Sequence, residues 1–358
     1  MRYVKHLVLL PLLALSLGAC SLVDDDNNDN NNQPVLTLEF SEAPIELTGV
    51  SANYAADVRY GDAERNVFDI YLPDCEERTP LVIYIHGGGF TGGDKSSGHN
   101  QGVLQYLENC VAFATINYTL LNIPSQEEGT ASAVSQGGVL TSLTDAARAL
   151  QFMRYHFRSL NIDVENVAAF GGSAGAGASL WLGTHDDLAD PDNEDPVLRE
   201  STRIKAVGAL ATQATYDLLL WEDTLLPITQ NFAGLLGGTD IPTVAQGLGV
   251  TNYLLTFLGV GSVEDIYSDE NIAYRANVDT LGLMDAGDAP VFVQNFDTGF
   301  DDLLNMFLHH GLHALAVRDR AEEVGLHHVA YVDDPEGPYN LVDPSGEDVA
   351  SFLMRHIR

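Results

Sequence analysis

Lysine is almost missing from this chain: among 358 residues it stands only at positions 5, 95 and 205. Lysine and arginine together number 17 against 51 acidic residues, a formal net charge of −34 at pH 7. So acidic a surface repels polyanions, which excludes nucleic acid as a partner and argues against docking on an anionic membrane. It suits a salty medium, where counterions screen self-repulsion. Cysteine is scarce too, with three residues at 20, 75 and 110. No internal repeat is visible. The apolar run Leu7–Leu17 is too short for a comfortable transmembrane helix. What is present is a hydrophobic fraction of 45%, enough for a sizeable core.

The first twenty residues read as a targeting segment. Arg2 and Lys5 supply a positive start, Leu7–Leu17 an apolar centre, and Leu17-Gly18-Ala19-Cys20 a cleavage site of small residues. A cysteine placed there resembles a bacterial lipoprotein signal, which implies lipidation at Cys20 and a lipid anchor in a membrane. Ser21, where an aspartate implies inner-membrane retention, implies instead an outer-membrane location in the cell envelope, on its periplasmic or surface face. Residues 21–34 contain the run Asp24–Gln33, entirely polar. Nothing in it can be buried, so a disordered tether is expected before a domain spanning 35–358.

Within that domain, one stretch organises the rest. Asn166–Phe170 reads as a buried strand and Ala174–Leu182 as a helix. Between them lies Gly171-Gly172-Ser173-Ala174-Gly175. Strand, tight turn and helix is the context in which G-x-S-x-G lifts a serine hydroxyl to a sheet's carboxyl edge. The glycines relieve crowding, and the helix start aims N–H groups at a developing anion. A second glycine motif, His86-Gly87-Gly88-Gly89-Phe90, follows the apolar run Leu81–Ile85. Its backbone N–H groups can line an oxyanion hole.

These two motifs, with the segment Thr144–Phe152, resemble the α/β-hydrolases of the carboxylesterase and lipase group that carry an HGGG-type oxyanion loop. The resemblance runs from about residue 60 to the C-terminus. It implies an α/β fold: a mostly parallel twisted sheet with helices on both faces and a cap insertion. The pattern of the residues agrees. Strands are expected near 66–72, 81–86, 111–117, 166–170, 204–210, 290–296 and 328–332. Helices are expected near 99–109, 142–159, 174–184, 312–324 and 345–357. Residues 213–288 interrupt the alternation with apolar clusters broken by glycine and proline, and read as a cap over the site. Cys75 and Cys110 precede strands that, if parallel, put both at the sheet end opposite the site. Either a structural disulfide or two separate buried thiols fits.

The resemblance implies Ser173 as nucleophile, with Gly88, Gly89 and Ala174 as oxyanion donors. The acid is expected after the 290–296 strand. Asp297 is the first choice, with Asp301 and Asp302 behind it and Asp217 in a less usual place. The base is where the chain departs from the pattern. Residues 333–340, after the last strand, contain no histidine. The cluster His309-His310-Gly311-Leu312-His313 is the substitute, with His310 preferred, then His309, and His313 further into the helix. His86 is expected to orient the glycine loop, His327 and His328 lie at the wrong end, and His356 falls on the last helix. No cofactor is needed and no metal is expected. The function implied is cleavage of a small-molecule carboxylic ester through an acyl-serine. A catalytically impaired hydrolase fold that binds a ligand, or a surface-interaction protein working through its cap, is the alternative.

Overall fold

The computed structural model describes residues 35–125, 136–295, 303–335 and 337–358. The leader, Cys20 and the tether therefore lie outside the described residues. Among the described residues, nine strands form a single sheet: β1 (Phe40–Ser41), β2 (Ala52–Arg59), β3 (Val67–Pro73), β4 (Thr79–Ile85), β5 (Ala112–Ile116), β6 (Ile162–Gly172), β7 (Ala206–Leu210), β8 (Val291–Asn295) and β9 (His328–Val332). Their order is β1-β2-β3-β5-β4-β6-β7-β8-β9. From β5 to β9 all neighbours are parallel, whereas β1, β2 and β3 form an antiparallel edge that joins β5.

The apolar runs are continuous because both faces of the sheet are covered. In β4, Leu81, Ile83 and Ile85 face one core, shared with helices Val139–Tyr155 and Ala174–Thr184. Val82 and Tyr84 face the other, where Phe113, Phe170 and Phe292 meet Phe352 of the terminal helix Val349–Ile357. The parallel strands align their carboxyl ends, so the turns after β4 and β6 arrive side by side: Ile85 pairs with Gly171.

Several boundaries differ from expectation. The 99–109 helix is a 3₁₀ turn, Lys95–Asn100, and a short helix, Val103–Leu107, separated by Gly102 at φ 75°. The last helix begins at Val349, capped by Asp348. Strand β2 was not expected; a register shift between Ala55 and Val58, with Asp57 at φ 52°, breaks its alternation. Residues Leu218–Leu283 form a set of short helices between β7 and β8, in the expected cap segment. Cys75 and Cys110 are joined in a disulfide, with Cα atoms 6.2 Å apart.

Candidate active site

Ser173 sits between β6 and helix Ala174–Thr184 with φ 54° and ψ −121°. A non-glycine residue in that region is strained, and the surrounding structure must hold it there. Close packing does so. A Cβ at Gly175 would lie 1.9 Å from the Ile85 carbonyl oxygen, so only glycine lets the helix start approach β4. The Ser173 amide donates to the Leu210 carbonyl at 2.9 Å, fixing the turn to the end of β7.

The glycine loop follows β4. Gly88 has φ 111° and Gly89 φ 60°, backbone states that L side chains rarely enter. Arg65, from the β2–β3 connection, secures the loop. Its guanidinium donates to Gly93 O at 3.0 Å, Tyr118 O at 3.0 Å and Asn117 Oδ1 at 3.1 Å. It also donates to His86 Nε2 at 3.2 Å. An arginine has no acceptor to offer, so His86 Nε2 accepts and its Nδ1–H donates to Gly87 O at 2.7 Å. Burial pushes the His86 pKa down, and the ring stacks on Tyr118 with centroids 4.3 Å apart. His86 thus braces the loop. Asn117 adds a second tie: its Oδ1 accepts from the Lys95 amide at 2.7 Å and its Nδ2 donates to Asp94 at 2.8 Å. Burial alone would raise the Asp94 carboxyl, but hydrogen bonds from Asn117 and Ser96 hold it at about 2.

The imidazole that meets the serine is His309, not His310. Ser173 Oγ lies 2.9 Å from His309 Nε2. The physical reason is a short helix the sequence reading lacked. Leu303–His309 is a helix of its own, and His309 closes it. His310 instead caps the next helix, Gly311–Val324, its Nδ1 accepting from the Leu312 amide at 3.2 Å. Its ring packs against Tyr339. His313 is fully buried, with Nδ1 accepting from the Ala214 amide at 3.2 Å and Nε2–H donating to Phe307 O at 2.9 Å. Both nitrogens are committed, and burial pushes its pKa down to about 4, so it is a strut.

Two residues position His309 that sequence reasoning missed. Asn305 lies one turn earlier on the same helical face, with Oδ1 2.7 Å from His309 Nδ1. That oxygen accepts, so Nδ1 carries the proton and Nε2 is left to take the serine hydroxyl hydrogen. The i, i+4 spacing was a readable signal. The other is Asn295, buried at the end of β8. Its Nδ2 donates to Thr212 O, His309 O and His310 O at 3.0, 3.0 and 3.1 Å, and its Oδ1 accepts from the Thr212 amide at 3.0 Å. Asp297, Asp301 and Asp302 lie outside the described residues. Asp217 is engaged elsewhere, paired with Arg275 through both oxygens at 3.0 and 2.9 Å.

Ser173, His309, Gly88, Gly89 and Ala174 open into one cavity of about 410 Å³ whose roof is the cap. The cap's Tyr253, on helix Thr251–Leu258, reaches back to the glycine loop. Hydroxyl, imidazole and glycine amides converging on one cavity provide the parts for attack on a carbonyl.

Comparison with known proteins agrees. A carbohydrate esterase from gut microbiota superposes with a TM-score of 0.55 at 14% identity, covering 80% of this chain and 88% of that one. An acetyl ester-xyloside bifunctional hydrolase from Caldicellulosiruptor lactoaceticus gives 0.51 at 17% identity, covering 77% and 85%. Both are α/β-hydrolase folds, as is this chain. Gut esterase 1 of Caenorhabditis elegans is 29% identical over 124 residues, 34% of this chain and 21% of that protein. Isoprenylcysteine alpha-carbonyl methylesterase ICME of Arabidopsis thaliana is 30% identical over 118 residues, 33% and 24% of the two. The matched part thus spans about a quarter of the length of these relatives. Residues 68–253, more than half of the chain and including both glycine motifs, match the BD-FAE family, and the chain belongs to it.

Proposed function

We propose that this protein hydrolyses carboxylic esters through an acyl-enzyme on Ser173. The observation that carries the reading is the 2.9 Å contact between Ser173 Oγ and His309 Nε2 at the mouth of the glycine loop. His309 takes the serine proton as Oγ attacks the ester carbonyl. The amides of Gly88, Gly89 and Ala174 receive the oxyanion, at roughly 3 kcal/mol per donor in sites of this kind. His309 then protonates the leaving alcohol, and water, activated by the same imidazole, releases the acid. Asn305 keeps the tautomer that makes this order work. Asp297 remains the proposed acid, with Asp301 and Asp302 as the alternatives.

The test is labelling with a fluorophosphonate and mass mapping of the modified residue. Modification of Ser173, and loss of p-nitrophenyl butyrate hydrolysis in Ser173→Ala, are expected. Equal hydrolysis by wild type and Ser173→Ala would remove the proposal and leave a binding protein on a hydrolase fold. We further propose that Cys20 carries the lipid and holds the domain at the outer membrane. An unmodified Cys20 in a peptide map of the membrane-extracted protein would overturn that.

A further inference from the structure

We propose that the cavity under the cap holds a plain hydrocarbon acyl chain, so that the preferred substrates are esters of unsubstituted aliphatic acids longer than acetate. This rests on Ser173 being the nucleophile.

The cavity's about 410 Å³ exceeds what an acetyl group fills, and its roof is hydrocarbon: Leu218, Ile241, Val244, Leu248, Leu254 and Phe257. Among the described residues, no lysine, arginine, aspartate or glutamate lines it. Besides Ser173 and His309, the described lining has five polar side chains, and each already donates to a backbone carbonyl. Tyr253 OH donates to Gly89 O at 2.6 Å and Tyr216 OH to Ala174 O at 2.8 Å. Trp221 Nε1 donates to Thr215 O at 2.9 Å, Gln213 Nε2 to Leu308 O at 2.8 Å, and Thr91 Oγ1 to Gly88 O at 3.3 Å. A sugar hydroxyl or a ring hydroxyl carried into this space would lose its water and find four of these five donors spent on the main chain, leaving one Gln213 N–H and a few acceptor oxygens to replace it, an unfavourable exchange. A methylene chain loses nothing there and gains from burial.

The chain in question is the acyl side. The acyl group stays bonded to Ser173 between the two half-reactions, while the alcohol must leave and water must enter. A chamber roofed by packed helices suits the part that stays.

The experiment measures kcat/KM of the purified protein on p-nitrophenyl esters from acetate to decanoate. It is repeated on alkyl acetates from methyl to octyl, on an acetylated sugar and on a hydroxycinnamate ester. In the acyl series a rise of about fourfold per added methylene up to hexanoate is expected. The alkyl acetate series should stay within about threefold, since little of the alcohol is buried. Val244→Trp, which fills the chamber, should lower the octanoate-to-acetate ratio at least tenfold. Acetate as the best acyl group, a steeper climb in the alcohol series, or a preference for the sugar or hydroxycinnamate ester would overturn the inference while Ser173 labelling still stands. No hydrolysis of any ester, together with no labelling of Ser173, would instead take down the underlying proposal and this one with it.

Discussion

The Tyr253 hydroxyl, on a cap helix, donates to the Gly89 carbonyl at 2.6 Å. Roof and glycine loop are therefore joined by a hydrogen bond, at a residue whose own amide is proposed to hold the oxyanion. Phe257, one turn on, stacks beside Tyr253 and meets Phe90 edge-on. Removing the hydroxyl in Tyr253→Phe keeps the ring and frees the loop. The expected result is a fall in kcat of about fivefold with KM nearly unchanged, the worth of one positioning hydrogen bond. Steady-state kinetics on acetate and hexanoate esters check it, and both substrates should lose alike.

His309→Ala and His310→Ala separate two adjacent imidazoles. The first should lower kcat by about three orders of magnitude or more, as loss of the base does in serine hydrolases. The second should leave the chemistry in place and cost about 1 kcal/mol of stability, the value of a helix cap. Hydrolysis rates and urea midpoints of the two variants decide the assignment. A larger rate loss in His310→Ala would reverse it.

Asn305→Asp tests the orienting carboxamide. A carboxylate 2.7 Å from Nδ1 would favour the imidazolium. The acidic limb of the kcat profile should then move up by about one pH unit. Asn305→Ala should lower kcat roughly tenfold without that shift, because it removes the orientation and adds no charge.

His313 makes stability depend on pH. Folded, it titrates at about 4 against an ordinary 6.5, because it is buried. Between those values the unfolded chain binds more protons than the folded one, so stability falls as pH drops from about 6.5 towards 4. His313→Gln preserves one acceptor and one donor but does not titrate. Melting temperatures across that interval should slope less steeply in the variant than in the wild type.

The Cys75–Cys110 disulfide closes a loop with a sequence separation of 35. For a loop of that length, chain entropy assigns about 3–4 kcal/mol. Cys75→Ser with Cys110→Ser should unfold at lower denaturant by that margin and keep its hydrolysis rate, since the bridge lies at the sheet end away from Ser173.

The parts of this molecule that were legible in the sequence are those where one short segment carries the whole physical requirement. Gly171–Gly175 and His86–Phe90 are such segments: a strand, a positive φ and a close approach are written in adjacent residues. The parallel strands were legible because burial on both faces leaves unbroken apolar runs. Strand β2 was not, because its bulge disturbs the period. His309 was visible as a candidate but ranked below His310. The choice between neighbours depended on where one helix stops and the next begins, and His310, as a cap, is spent on that junction. Asn295 was beyond reach altogether, since its partners come from Thr212, in the turn after β7, and from residues 14 and 15 positions later.

That carboxamide has a consequence for how the site can be observed. One planar group grips the turn after β7 and the main chain at His309 together, so the placement of that turn against β8 is translated into the location of an imidazole. The Thr212 amide proton, bonded to Asn295 Oδ1, is consequently a remote gauge of the base. Its rate of exchange with deuterated solvent would register any loosening of the histidine before turnover betrayed it.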